Sequence, residues 1–265
     1  MNVVPPINFD LYPIEDAAAM AKIVAKSREQ LDRDQYCSLP GFLTDAAIKE
    51  AAAEIASLKA QANPANSKRN CYLQRQGDPS LPPDHPRNIM HHASYRMIAA
   101  DLLPAISHLK TLYFWEPFQK MVAGIVGEET LYPNEDPLQP VNVICYAEGD
   151  QSAWHYDSTN AFTMTLMLQA AEAGGDFEMA PNTRVKPGDE DIPYMREVLT
   201  GQSDQVKSVG RAPGELTIFR GCNSLHRVSP VKGPRDRLMA VFVYETMSGI
   251  KGDPEVNMTV YGRKA

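Results

Sequence analysis

VNVICYAEGDQSAWHYDSTNAFTMTLML, residues 141–168, places His155 and Asp157 two residues apart between two apolar runs that read as β-strands. Chance supplies a His-x-Asp spacing in a chain with six histidines, so its meaning depends on what flanks it. Downstream, short apolar runs separated by turn signals continue to the end of the chain: EAGGDFEM, SVGRAPGELTIFRG, HRVSPV, LMAVFVYE and VNMTVYG. Strands at this spacing predict an antiparallel sandwich or barrel, interrupted by PNTRVKPGDEDIPYMREVLTGQ as an inserted loop and short helix.

Upstream the pattern changes. Residues 14–35 are alanine-rich, with apolar positions spaced by threes and fours, which predicts an amphipathic helix. YCSLPGFL reads as a short strand and turn, and Thr44-Asp45 caps a second helix over residues 45–62. Residues 63–92 hold five of the 21 prolines and read mainly as loop, with a short strand near Cys71–Leu73. From His92 to Val126 the apolar spacing returns to that of helix, broken near Pro104 and Pro117. LYPNEDPLQP then reads as a linker. The expected fold is α+β with a mainly β core, as one domain: a helical and loop-rich part over 1–138 and a β-rich core over 139–265.

A chain of 265 residues with 43% hydrophobic and 22% charged residues is globular in composition and long enough for a substantial core. No apolar run is long enough to cross a bilayer, and the N-terminus lacks a basic segment followed by an apolar core, so a cytoplasmic protein with no membrane partner is expected. The net charge of −7 argues against a nucleic-acid partner. Cys37, Cys71, Cys145 and Cys222 form no CxxC pair and read as reduced, mostly buried thiols. A homo-oligomer stays open.

In the β-rich half a second histidine, His226, follows the strand and turn GELTIFRGCNSL, and Arg237 opens the strand RLMAVFVYE eleven residues later. Two histidines and one carboxylate on one face of a metal, with the other positions open, suit a non-haem Fe(II) centre. The ensemble of His155-x-Asp157, GGDFE, GELTIF, His226 and Arg237 resembles the Fe(II)/2-oxoglutarate-dependent dioxygenases. More narrowly, GGDFEMAPNTR and FRGCNSLHRVSPVKGPRDR resemble the branch that hydroxylates or halogenates small free amino acids.

The resemblance implies a double-stranded β-helix, or jelly roll, cupin-like in form, and an enzyme using Fe(II), 2-oxoglutarate and O2. It implies His155, Asp157 and His226 as metal ligands, and Arg237 as the partner of the cosubstrate's distal carboxylate. Asn142 and Thr165 are candidates to support the cosubstrate from neighbouring strands. Arg184 and Arg87 are candidates for a substrate carboxylate, and Trp154 for a wall of the pocket. In halogenating members of the branch glycine or alanine replaces the acidic ligand, so Asp157 implies hydroxylation. Val241 and Val243 lean against a lysine substrate. Desaturation or oxidative cyclisation of an amino acid or natural-product intermediate remains an alternative, as does a noncatalytic or zinc-dependent cupin-like protein.

Overall fold

The computed structural model describes residues 5–157 and 162–265. In chain order its elements are α1 (Ala17–Asp34), β1 (Tyr36–Leu39), α2 (Asp45–Leu58), β2 (Asn63–Arg69), β3 (His91–Ile98), α3 (His108–Tyr113), α4 (Glu116–Val126), β4 (Tyr132–Pro133) and β5 (Val141–Tyr146). They continue as β6 (Thr163–Gln169), β7 (Ala173–Gly174), β8 (Phe177–Ala180), α5 (Ile192–Leu199), β9 (Lys207–Val209), β10 (Leu216–Phe219), β11 (Leu225–Val228), β12 (Val231–Lys232), β13 (Arg237–Phe242), β14 (Tyr244–Glu245) and α6 (Pro254–Tyr261). A seven-stranded antiparallel sheet runs in the order β1-β10-β6-β13-β5-β3-β2, and a three-stranded sheet in the order β11-β8-β9.

The period-two alternation of the large sheet divides its side chains between two tasks. Val141, Val143 and Cys145 of β5, Met164, Leu166 and Leu168 of β6, and Leu238, Ala240 and Phe242 of β13 join the main apolar core, together with residues of α1 to α4. The alternate residues, Asn142 and Ile144, Thr163 and Thr165, Arg237, Met239 and Val241, line a cavity on the other face. Register keeps these sets together, with Val241 opposite both Asn142 and Thr165. Helices α1 to α4 therefore cover one face of the sheet and leave the other for the cavity.

Local signals set the helix ends. The side chain of Asp16 caps α1, and that of Thr44 caps α2 as the sequence leads one to expect. At Gly124 of α4 a Cβ would lie 2.9 Å from the side chain of Val24, and the Gly124 carbonyl accepts from Arg28 Nε at 2.9 Å. The absent side chain lets α1 and α4 pack closely. Tyr113 stacks on Tyr244 with ring centroids 4.5 Å apart, and its hydroxyl donates to the Val243 carbonyl, tying α3 to the end of the sheet.

Four expectations need correction, the first being the short strand near Cys71–Leu73, which is a turn. Asn63–Arg69 and His91–Ile98 pair as the β2–β3 hairpin at the sheet edge, so the loop expected over 63–92 is shorter and the helix expected from His92 begins only at His108. The 91–98 segment contributes Met97 and Ile98 to buried surfaces, and its pairing with β5 overrides its mixed local pattern. VNMTVYG is the body of α6: Asp253 caps it, Pro254 occupies its first turn and Gly262 ends it at φ +73°. The cysteines are free, with Cys37, Cys71 and Cys145 buried and Cys222 half-buried. Among the described residues no helix is long and apolar enough to cross a membrane.

Phe118 is fully buried between Phe42 and Phe242, whereas Ile106 is 76% exposed. Phe118→Ala is expected to lower unfolding free energy by about 3–5 kcal/mol, and Ile106→Ala by less than about 0.5 kcal/mol, both read by denaturant titration.

Candidate active site

His155 and His226 meet because their backbones pair. The His155 N–H donates to the His226 carbonyl at 3.0 Å and the His226 N–H to the His155 carbonyl at 3.1 Å, a reciprocal antiparallel pair that puts both side chains on one face. The segment continues along β11 through Ser152, whose N–H donates to the Val228 carbonyl at 3.1 Å. At its other end the Asp157 N–H donates to the Gly221 carbonyl, also at 3.1 Å. On an extended chain residues two apart share a face, so Asp157 points the same way as His155.

The three ligating groups converge. Asp157 Oδ1 lies 3.6 Å from His155 Nε2 and 3.4 Å from His226 Nε2, and all three atoms fall within 4.8 Å of one another. His155 Nδ1 lies 2.8 Å from the Ala153 carbonyl and His226 Nδ1 3.0 Å from that of Ser224. A carbonyl only accepts, so both Nδ1 atoms carry a proton and both Nε2 atoms face the carboxylate. Two imidazole nitrogens and one carboxylate oxygen on one face fit a non-haem Fe(II) ion better than a closed four-ligand zinc site.

Electrostatics keep this set ready for a cation. Burial, then the neighbouring His226, push His155 from 6.5 down to about 4, which favours its neutral form. Burial alone would raise Asp157, but His226, His155 and the Thr163 hydroxyl hold it well below the usual carboxylate range. Thr163 Oγ1 donates to Asp157 Oδ2. Gly221 makes room for this carboxylate: a Cβ there would fall 1.9 Å from Asp157 Oδ2 and 2.9 Å from Thr163 Oγ1.

The ligands open into a cavity of about 190 Å³ between the two sheets. Arg237 lies in its wall, 1% exposed, with Nε and Nη1 lacking a hydrogen-bond partner among the described residues. Gly175, at φ +63°, makes this placement possible, because a Cβ there would lie 3.0 Å from Arg237 Cδ. The second glycine of GGDFE thus leaves room for the arginine, while a Cβ at Gly174 would fall 2.2 Å from the Pro230 carbonyl oxygen. Asn142 also lines the cavity, its Oδ1 accepting from Tyr261 of α6 at 2.6 Å. Thr165 lines it too, its hydroxyl accepting from Arg211 Nη1 at 2.8 Å. Arg211 carries no signal in the sequence, since it stands on irregular chain between β9 and β10 where neither period nor motif marks it.

Three expected substrate residues lie outside the cavity lining. Trp154, like Tyr156, faces away from His155 into a separate apolar cluster with Cys71, Met195 and Val198, and Arg227 stacks on its indole. Arg184 is buried, but its guanidinium donates to the Cys222 carbonyl at 2.6 Å, pairs with Glu190 at 3.4 Å and covers the Tyr156 ring. Arg87 stacks on Tyr72 and donates to Gln74 in the 70–88 loop. Val241 lines the cavity and Val243 does not. Arg235 is exposed, as expected for the GPRDR turn. The STNA segment that follows Asp157, residues 158–161, lies outside the described residues.

A family model described as Halogenase D (HalD) matches residues 19–259. No curated protein matches the chain. Among solved structures, an oxidoreductase of the 2OG-Fe(II) oxygenase family from Burkholderia pseudomallei is similar at TM-score 0.53 and 16% identity, over 86% of this chain and 92% of that one. The epimerase SnoN in complex with Fe3+, alpha ketoglutarate and nogalamycin RO is similar at TM-score 0.56 and 16% identity, over 90% and 94%. A prolyl hydroxylase from Trichoplax adhaerens, in complex with a hypoxia inducible factor oxygen degradation domain peptide fragment, is similar at TM-score 0.55 and 14% identity, over 85% and 90%. At these identities the likeness is one of fold.

Gly221→Ala is expected to displace the Asp157 carboxylate and weaken divalent-metal binding about 10- to 100-fold, measured by metal titration with circular dichroism as the folding control. A second expectation concerns pH in the metal-free protein. Between pH 6.5 and about 4 the unfolded chain takes up a proton at position 155 that the folded chain refuses, so stability falls as pH drops through that window and levels off below it. Thermal midpoints of chelator-treated protein measured from pH 7 to 4 are expected to fall less steeply for His155→Asn than for wild type.

Proposed function

The chain belongs to the Halogenase D family, and from its His155, Asp157 and His226 group we propose that it is an Fe(II)- and 2-oxoglutarate-dependent oxygenase that hydroxylates an unactivated C–H bond of a small substrate, a free amino acid by preference. Asp157 carries the choice of hydroxylation over halogenation. Its carboxylate stands between the two imidazoles, within 3.6 Å of each Nε2, with its second oxygen held by Thr163. Glycine or alanine at this position, as the resemblance implies for halogenating members, would leave a place for halide. Here a fixed anion fills it, and a second anion beside it would meet like-charge repulsion.

In this reading His155, Asp157 and His226 hold the iron and Arg237 takes the distal carboxylate of 2-oxoglutarate. The bound metal, cosubstrate and O2 together supply the oxidation, with 2-oxoglutarate converted to succinate and CO2 and one oxygen atom passed to substrate. The chain's own contribution is orientation and exclusion of water. The carbonyls of Ala153 and Ser224 fix the two rings, and Thr163 fixes the carboxylate. Met97, Ile144, Met239 and Val241 make one side of the cavity apolar.

That apolar side supports a substrate with a less polar side chain than lysine. The cavity between the seven- and three-stranded sheets supports the jelly-roll reading. The shared core of α1 to α4 with β5, β6 and β13 supports a single unit over residues 1–265.

Anaerobic addition of Fe(II) and 2-oxoglutarate is expected to give a visible metal-to-ligand charge-transfer band in wild type and none in His155→Ala. A wild type without the band would remove the cosubstrate assignment. With oxygen and a panel of free amino acids, succinate release and a product heavier by one oxygen are expected by mass spectrometry. A product lighter by two hydrogens would mean desaturation or cyclisation.

A further inference from the structure

The cavity holds a second arginine that the metal site does not use. Arg211 lays its guanidinium over the Phe177 ring, 3.8 Å from carbon to ring centroid, and lines the same cavity as Arg237. The two arginines also line an adjoining cavity of about 210 Å³ beside residues 170–176, so together they contribute to the walls of both. Arg211 Nε and Nη2, like Arg237 Nε and Nη1, have no hydrogen-bond partner among the described residues.

Neighbouring carboxylates are turned to other tasks. Glu215 Oε2 accepts from the Ala212 N–H at 3.2 Å, and Asp176 Oδ2 from the Ser229 hydroxyl at 3.5 Å. Burial, then the charge of Arg237, push Arg211 down to about 9, as expected of two cations sharing one poorly solvated space.

Thr165 extends the pattern. Its hydroxyl accepts from Arg211 Nη1, and a guanidinium can only donate, so the hydroxyl proton is free to turn towards another acceptor. This end of the cavity therefore offers four guanidinium nitrogens and one hydroxyl, all as donors. Such a set fits a carboxylate, whose two oxygens accept from several donors at once and whose charge offsets the repulsion between the cations.

We propose that Arg211 is the second arm of the cosubstrate site: the distal carboxylate of 2-oxoglutarate is held between Arg211 and Arg237, and the pair makes the protein selective for a dicarboxylic keto acid. This rests on the oxygenase reading above and adds a residue and a selectivity to it. The metal end grips the keto-acid head that every 2-oxo acid shares, so loss of Arg211 acts on the dicarboxylate alone.

The test is calorimetric titration of Mn(II)-loaded protein, which separates binding from turnover, with 2-oxoglutarate and with 2-oxovalerate, a keto acid of equal chain length without the distal carboxylate. Wild type is expected to prefer 2-oxoglutarate strongly. Arg211→Gln is expected to weaken 2-oxoglutarate about 10- to 100-fold and to leave 2-oxovalerate and Mn(II) affinity within about twofold. Arg211→Lys keeps the charge without the planar fork and is expected to lose about 3- to 10-fold, which keeps the question answerable if the glutamine variant folds poorly. Unchanged 2-oxoglutarate affinity in both variants overturns the proposal. So does a raised KM for the amino-acid substrate with cosubstrate affinity intact, which would give Arg211 to the substrate. Wild-type protein that fails to bind 2-oxoglutarate removes the oxygenase reading itself, a result distinct from either.

Discussion

The reciprocal backbone hydrogen bonds between His155 and His226 are the constraint on which the site depends. They join a segment between β5 and β6 to β11, strands that belong to different sheets, and so fix the distance between the sheets at the point where the metal ligands stand. Everything else converges on that pairing. Asp157 follows from chain extension, two residues beyond His155 on the same face. Phe177 and Phe219 pack against the His226 ring from β8 and β10, with centroids 5.7 and 5.0 Å away. A site built across two sheets needs both sheets folded, which makes the helical layer on the far face of the large sheet a structural requirement of the chemistry.

What the sequence made legible follows the reach of its local rules. The His-x-Asp spacing has meaning because a strand has period two, and the structure places both side chains on one cavity face. The helix cap at Thr44 needs only a short-range hydrogen bond, and it forms. The β2–β3 hairpin was hidden because His91–Ile98 becomes a strand through its partners in β2 and β5, which local composition does not name. The helix α6 was hidden for a different reason: its apolar residues alternate in a strand-like way, while the Asp-Pro start and Gly stop carried the information. Trp154 was assigned to the wrong face for want of the same period-two rule that places His155, since adjacent residues on a strand must diverge. Arg211 reaches the cavity from irregular chain, where no period can announce it.

Glycine accounts for two further parts of the motif pattern, and in both cases the reason is a specific side chain of another element. Gly221 leaves space for the Asp157 carboxylate and Gly175 for the Arg237 stem. The resemblance carried by FRGCN and GGDFE is thus partly a negative image of the site: Gly221 and Gly175 mark where candidate site side chains from distant segments lie. At Gly175 the positive φ adds a backbone reason as well, while at Gly221 space alone decides.

The cavity has an electrical direction. The His155, Asp157 and His226 group offers two Nε2 atoms and a carboxylate, which call for a cation. Arg237 and Arg211 offer guanidinium donors, with the Thr165 hydroxyl polarised to match. Ile144, Met239 and Val241 line the same cavity and offer no polar group. A ligand that satisfies both ends must bind a metal through one terminus, present a carboxylate at the other and carry an apolar connection between. A five-carbon dicarboxylic keto acid meets all three demands, and an amino acid or a lone halide meets only some of them. This polarity would hold whatever the final substrate, because it is set by residues of the cavity wall.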